Sequence, residues 1–208
     1  VAASGSLPSD LERVWTARRP GAYHLEYGFS CMGYEVSGAL GVKLADPERE
    51  VYTFVGDGGF LMGHSDLLTS IQEGHKINVL LFNNSGHQCI HNLERSQGMD
   101  TFGTEFRFRE QSTGGLTGSY VPVNYSELAS AYGAKTWRVT TLAELHAAIE
   151  ASKQADVSTL IEIMVLPGTM TEGYENLWRV GTAAVSEKES VRKAYKKLND
   201  VVKNLRKY

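Results

Sequence analysis

Two short apolar runs, each stopped by a polar turn containing glycine, constrain this chain more than any other feature. Val51-Tyr52-Thr53-Phe54-Val55 leads into Gly56-Asp57-Gly58-Gly59-Phe60, and Ile77-Asn78-Val79-Leu80-Leu81-Phe82 leads into Asn83-Asn84-Ser85-Gly86. Runs this short and this apolar are strands in the middle of a parallel sheet, covered on both faces. The segment between them, from about Leu61 to Glu73, is expected to be the crossover helix, stopped by Gly74.

The same alternation extends in both directions. Val1 to Ser4 reads as the end of a buried strand, and Leu7 to Arg18 has a helical period at Leu7, Leu11, Val14 and Trp15. A short segment from Tyr23 to Tyr27 and a glycine-rich helix from Gly33 to Ala45, closed by Pro47, complete the first half. Beyond the second turn we expect a helix from Gln88 to Arg95, a long polar loop from about Gly98 to Pro122 and a helix from Tyr125 to Tyr132. Strand Lys135 to Val139, helix Leu142 to Ser152 and strand Thr159 to Val165 follow. The implied fold class is α/β, a doubly wound parallel sheet with helices on both faces, whose ligands bind beyond the carboxyl ends of the strands. A loop as long as 98–122 is expected to be a lid, or to be disordered when the site is empty.

With 208 residues, 42% of them hydrophobic, the chain has enough apolar material for one large core. We assign residues 1–185 to that domain and 186–208 to a terminal amphipathic helix, whose Val191, Tyr195, Leu198, Val202 and Leu205 should pack on the body. The opening Val1-Ala2-Ala3-Ser4 lacks a methionine and reads as mid-strand, so we expect a longer parent whose amino-terminal domains lie outside this chain. A net charge of -3, from 21 basic and 24 acidic residues, argues against general binding to nucleic acid or an anionic membrane and favours a small-molecule substrate. Two cysteines, Cys31 and Cys89, exclude a disulfide framework and suit a cytoplasmic protein. No apolar stretch approaches the roughly 20 residues of a membrane span.

The chemistry sits at the two strand ends. Gly56-Asp57-Gly58 offers a carboxylate and unencumbered backbone amides at the start of a helix, where phosphate is attracted. Asp57 repels phosphate unless a divalent cation lies between them, and magnesium, a hard ion that shares its shell with phosphates, is the natural bridge. Alone, a Gly-Asp-Gly triplet is an ordinary strand-to-helix connection. Here Asn84 follows Asp57 by 27 positions, with a helix and a strand between them, so a second turn can bring an amide oxygen and the Gly86 carbonyl to the same place.

Gly-Asp-Gly, a spacer of this length and Asn-Asn together resemble the signature of thiamine-diphosphate-dependent enzymes. The resemblance implies thiamine diphosphate and Mg2+ as cofactors, with Asp57, Asn84 and Gly86 as metal ligands and Gly56, Gly58, Gly59 and Phe60 lining the diphosphate site. Ser30-Cys31-Met32-Gly33-Tyr34 is similar to the family segment that places a bulky apolar residue, here Met32, under the bent cofactor. By the same alignment Ser4, Gly5 and Ser6 face the diphosphate, although the family often has longer polar side chains there. From residues alone Met32 reads first as a core filler, and its place relative to Asp57 is what favours the cofactor.

Tyr23-His24-Leu25-Glu26-Tyr27-Gly28-Phe29-Ser30-Cys31-Met32-Gly33-Tyr34-Glu35 and Phe102-Gly103-Thr104-Glu105-Phe106-Arg107 resemble, more narrowly, family members that open a cyclic polyhydroxy dione by hydrolysis in bacterial inositol catabolism. This similarity runs from residue 1 to about residue 180. It implies carbon–carbon cleavage of the ring to a 5-deoxyglucuronate in a homodimer or homotetramer. The activating glutamate would come from an amino-terminal domain, usually of a neighbouring subunit, so no catalytic residue is assigned within this chain and the isolated chain is expected to be inactive. Glu26 and Glu35 are not assigned that role. His24, His64, His87 and His91 are expected to be solvated, Cys31 to pack beside Met32 and Cys89 to lie within its helix. Gly59-Phe60 and His87-Gln88 are places where relatives should vary. Two alternatives stand beside this reading: an acetohydroxyacid-synthase-like carboligase or decarboxylase of 2-oxo acids, and a noncatalytic structural α/β domain whose Asp57 and Asn84 merely cap turns.

Overall fold

The computed structural model describes residues 1–169 and 181–205. Strands Tyr52–Gly56 (β1), Asn78–Asn83 (β2), Lys135–Val139 (β3) and Thr159–Met164 (β4) form one sheet in the order β1-β2-β4-β3, with every pair parallel. The helices are Ser6–Val14 (α1), Tyr34–Ala45 (α2), Asp57–Gly63 (α3), Ser65–Gln72 (α4), Gln88–Ser96 (α5), Tyr125–Ala131 (α6), Leu142–Lys153 (α7) and Glu189–Lys203 (α8).

Strand side chains alternate between two cores, as a period of two requires. Val55, Val79, Leu81 and Leu160 face a buried cluster with Val36 and Ala39 of α2, Phe60 of α3, Leu67 of α4, and Tyr125 and Ala129 of α6. Phe54, Leu80, Phe82, Ile161 and Ile163 face the opposite side, against Leu145, Ala148 and Ile149 of α7. The expected doubly wound architecture, helices on both faces, is therefore present.

Chain order sets the ligand position. Val1 runs beside β1, with the Phe54 amide donating to the Val1 carbonyl at 3.0 Å, and Ala2 pairs in parallel with Leu25 on its other side. The first connection thus moves outward to residues 23–27 and the next returns across to β1. Trp15, just after α1, packs edge-on against Phe54, whereas α2 lies on the other face. Consecutive connections on opposite faces leave a crevice between the ends of the first segment and β1. Ser4 and Asp57 stand at those two ends. Gly56 also pairs in register with Phe82, so Asp57 and Asn84 emerge from adjacent strand tips.

The structure corrects several boundaries. Helix α1 ends at Val14 rather than Arg18, because Trp15 turns out in extended conformation to pack on Tyr23 and Phe54. The single helix expected over 61–73 begins at Asp57 instead and breaks at His64. The break lies where the loop carrying Gly33 crosses it, since a Cβ on Gly63 would lie 2.4 Å from the Gly33 carbonyl oxygen. Of the apolar face of α8 Val191 is buried, at a notch where Ser190 abuts Gly98, Leu198 and Val202 are half-buried, and Tyr195 and Leu205 are exposed. The one fully buried residue of α8 is thus in its first turn. Residues 206–208, the end of the expected terminal helix, lie outside the described residues, as does most of the last stretch of family similarity before residue 180.

Candidate functional site

Asp57 occupies the first turn of α3 and is completely buried. Its Oδ2 accepts a hydrogen bond from the Gly86 amide at 2.9 Å, which ties the two strand-end turns together. The Asn84 carboxamide lies 3.0 Å from Asp57 Oδ1 and 2.8 Å from the Gly86 carbonyl oxygen, and the atom it turns toward both is its own oxygen. Rotating the amide would let its NH2 donate to both acceptors. With its oxygen turned toward them, the Asn84 amide lies from each neighbour at the edge length, about 2.8–3.0 Å, of an octahedron with metal–oxygen bonds of about 2.0–2.1 Å. Donor chemistry and spacing both fit a small hard cation. Among the described residues no group of three or more His, Cys, Asp or Glu side chains is placed to hold a metal ion. This cluster combines one carboxylate, one carboxamide and one carbonyl instead.

Burial pushes the Asp57 carboxyl up to about 6, against the opposing pull of amides from Gly86, Gly58, Asp57 itself and Asn84. Among the described residues no cation offsets that burial. The Tyr125 hydroxyl, also buried, has no hydrogen-bond partner among the described residues, and burial followed by the nearby Asp57 and Glu162 charges raises its pKa.

The other expected site residues fall into distinct groups. Ser30 Oγ donates to Ser4 Oγ at 3.0 Å, joining the first turn to the segment before α2, and Gly5 stands over Cys89. The buried Glu35 carboxylate accepts from the Gly33 amide at 2.9 Å and from the Ser4 amide, and its Oε1 would lie 3.4 Å from a Cβ on Gly59. It thereby connects three of the expected cofactor-facing segments. Cys31 is exposed rather than packed, and Met32, 38% exposed beside a 91% exposed Phe29, is no core filler. The Phe60 side chain is buried in the core against Tyr125 and His64, which leaves its backbone to face a ligand.

The expectation of solvated histidines fails for three of the four. His91 is buried and bonded to Thr104, His64 bonds to and stacks on Tyr132, and His87 packs so closely over Gly58 that a Cβ there would lie 2.3 Å from Nδ1. His24 is exposed, although its Nε2 lies 2.7 Å from the Tyr34 hydroxyl. Part of the long loop is a strap. Phe106 donates to the Ser85 carbonyl at 2.9 Å, His87 donates to Thr104 at 2.7 Å, and Phe108 and Val121 close a hairpin onto this segment. Glu105 gathers Arg107, Tyr120 and Gln88 beneath it.

Sequence reasoning missed Glu162. This fully buried acid on β4 accepts from Asn83 and Ser126. The available signal was a lone carboxylate inside an otherwise apolar strand, where an acid is rarely buried without partners.

Comparison with known proteins gives this geometry a context. Residues 3–163 match the family model described as thiamine pyrophosphate enzyme, C-terminal TPP binding domain. A 3D-(3,5/4)-trihydroxycyclohexane-1,2-dione hydrolase of Geobacillus thermodenitrificans is 55% identical over 208 residues, covering 100% of this chain and 33% of the relative. A protein of the same name from Bacillus cereus is 56% identical over 195 residues, covering 94% of this chain and 30% of the relative. The chain thus spans about a third of the length of these relatives. The solved structure of a Rhodococcus jostii thiamine diphosphate-dependent 4-hydroxybenzoylformate decarboxylase superposes with a TM-score of 0.68 at 21% identity, over 80% of this chain and 29% of that one. At that identity the likeness speaks for the fold.

Proposed function

Because this chain belongs to the thiamine pyrophosphate enzyme family, matching its C-terminal cofactor-binding domain, we propose that it holds the diphosphate of thiamine diphosphate through a magnesium ion within a larger enzyme. Asp57, Asn84 and Gly86 grip the ion. The observation that carries this reading is the convergence of the buried Asp57 carboxylate, the Asn84 carboxamide and the Gly86 carbonyl, with the Asn84 amide 3.0 Å from the first and 2.8 Å from the last. The amides of Gly58, Gly59 and Phe60, in the first turn of α3, face the diphosphate together with the Gly56 backbone and the Ser4-Gly5-Ser6 turn. The first four amides of a helix have no carbonyl of their own turn to bond, which suits them to that use. Ser30, Cys31 and Met32 lie toward the thiazolium ring, and the exposure of Met32 supports a surface awaiting a ligand.

When bound, thiamine diphosphate supplies a carbon nucleophile and an electron sink for cleaving the bond between two adjacent carbonyl carbons. This chain's residues fix the diphosphate end, and the fixed end orients the ring. Asp57 does so as a carboxylate, and a cation in its place compensates the burial that raises its pKa.

The reaction we propose for the whole enzyme is hydrolytic opening of trihydroxycyclohexane-1,2-dione to 5-deoxyglucuronate in inositol degradation. Relatives at 55% and 56% identity bear that hydrolase name, which favours this substrate over the 2-oxo acids of carboligases and decarboxylases. The activating glutamate comes from an amino-terminal domain, supplied by a neighbouring subunit of a homodimer or homotetramer. Two free thiols suit a cytoplasmic setting.

Calorimetry of the full-length enzyme with thiamine diphosphate, with and without magnesium, tests the cofactor reading, and turnover of the dione tests the substrate. Asp57→Ala should abolish the magnesium-dependent heat and the turnover together. Binding that ignores both magnesium and the substitution would overturn the reading.

A further inference from the structure

The turn that carries Asn84 and Gly86 is not locally comfortable. Ser85, between them, sits at φ 61, a left-handed conformation that only a few non-glycine residues adopt. Such a residue persists when its surroundings over-determine it. Phe106 secures the Ser85 carbonyl from the strap side at 2.9 Å. From the sheet side, the Ser85 amide donates to Asn83 Oδ1 at 3.2 Å. Asn83 holds that oxygen forward because its Nδ2 donates to Glu162 Oε1 at 2.7 Å. The other Glu162 oxygen accepts from the Ser126 amide at 3.0 Å and from Ser126 Oγ at 2.7 Å, while the half-exposed Arg138 guanidinium lies 3.7 Å from Oε1.

We infer that Glu162 is a positioning residue for the cation-holding turn, acting through the orientation of the Asn83 amide; the inference rests on the proposed magnesium site. An ionised carboxylate only accepts hydrogen bonds, so it forces Asn83 to present its NH2 inward and its oxygen outward to Ser85. An amide at position 162 removes that compulsion. Asn83 can then rotate, set NH2 against the Ser85 N–H and release the turn. Asn84 and Gly86 lie on either side of Ser85, so their two oxygens move with it. Ser126 anchors the carboxylate from α6, and it should matter less to the cation because it does not touch Asn83.

The test uses the full-length enzyme with saturating thiamine diphosphate, magnesium affinity read by calorimetry and stability by thermal unfolding. Glu162→Gln should weaken magnesium at least about tenfold, within the range found for partners that orient metal ligands. Adding Asn83→Asp reverses the polarity of the bond: the introduced amide donates, and the introduced carboxylate accepts from both it and the Ser85 amide. The double variant should return to within about threefold of wild type, a coupling that additive effects do not produce. Ser126→Ala should lower stability while leaving magnesium affinity within about twofold. Glu162→Gln that folds and keeps wild-type magnesium affinity would overturn the inference, as would a double variant no better than the single one, or Ser126→Ala weakening magnesium as much as Glu162→Gln. Where the single variant does not fold, the double variant decides: folded with near-wild-type affinity it supports the inference, and weakened or unfolded it refutes it. A wild-type enzyme whose cofactor binding needs no magnesium would instead sink the proposed site.

Discussion

Replacing Asp57 by asparagine should make the cation-free chain more stable, although it destroys the site. A carboxyl whose pKa rises on folding holds its proton more tightly when folded. It therefore adds stability below its unfolded pKa and loses that stability as pH climbs to the folded value. For Asp57 the window runs from the ordinary 3.8 to about 6. The difference corresponds to about 3 kcal/mol of penalty on the ionised form at pH 7, nearly absent at pH 4. Asparagine avoids the penalty at every pH. Its oxygen can still accept from the Gly86 amide, and its NH2 can donate to the Asn84 oxygen that now faces Asp57 Oδ1 at 3.0 Å.

Urea unfolding in EDTA reads this directly. For a chain whose stability falls by about 2–3 kcal/mol per molar urea, the Asp57→Asn midpoint at pH 7.5 should lie about 1 M above wild type, and the gap should close toward pH 4. Magnesium with thiamine diphosphate should reverse the ranking once the ligand stands at about 1,000 times its dissociation constant, where it adds about 4.1 kcal/mol to the form that binds it. A midpoint for Asp57→Asn at or below wild type at pH 7.5, or a gap that ignores pH, would refute the reasoning.

Three further outcomes probe the surrounding geometry. Gly58→Ala must displace the His87 ring, whose Nδ1 would lie 2.3 Å from the new Cβ, so thermal unfolding should report a loss of about 1–3 kcal/mol, mostly recovered by adding His87→Ala. Gly86→Ala combines φ 152 with a Cβ 2.4 Å from the Thr104 carbonyl oxygen, and should cost at least about 2 kcal/mol in unfolding experiments and raise the magnesium requirement of the full-length enzyme. Thr141→Ala removes the capping box with Glu144 at the start of α7, on the far face of the sheet, and should cost about 1 kcal/mol while calorimetry finds cofactor affinity unchanged.

What could be read from the sequence follows from which interactions are local. The strands were legible because a buried parallel strand has to be apolar, and the Asp57–Asn84 pairing because both motifs end strands on either side of one crossover. Features set by contact with distant chain were not legible. The break at His64 exists because Gly33 arrives from another loop, α1 stops early because Trp15 finds Phe54, and His91 is buried because Thr104 returns over it. Phe60 shows a motif position serving two purposes, since one residue can offer its backbone to a ligand while its ring fills the core. Glu162 and Asn83 are 79 residues apart, and no spacing rule in either segment joins them.

Asp57 and Glu162 are both completely buried acids near the carboxyl end of the same sheet, and they differ in their partners. Glu162 receives an amide NH2, a hydroxyl and a backbone N–H, with a guanidinium nearby, which is the donor set that makes a buried carboxylate sustainable without a metal. Asp57 receives backbone amides and lies 3.0 Å from the Asn84 carboxamide, with no side-chain cation among the causes that set its pKa. Burial of the Asp57 charge raises the free energy of the empty cluster, and a dipositive ion lowers it most. The chain that folds at a cost around Asp57 therefore binds its cation more tightly than a relaxed, surface-exposed set of the same three groups would. Stability of the empty domain and affinity for the ion should accordingly move in opposite directions when Asp57 is changed, and in the same direction when Glu162 is.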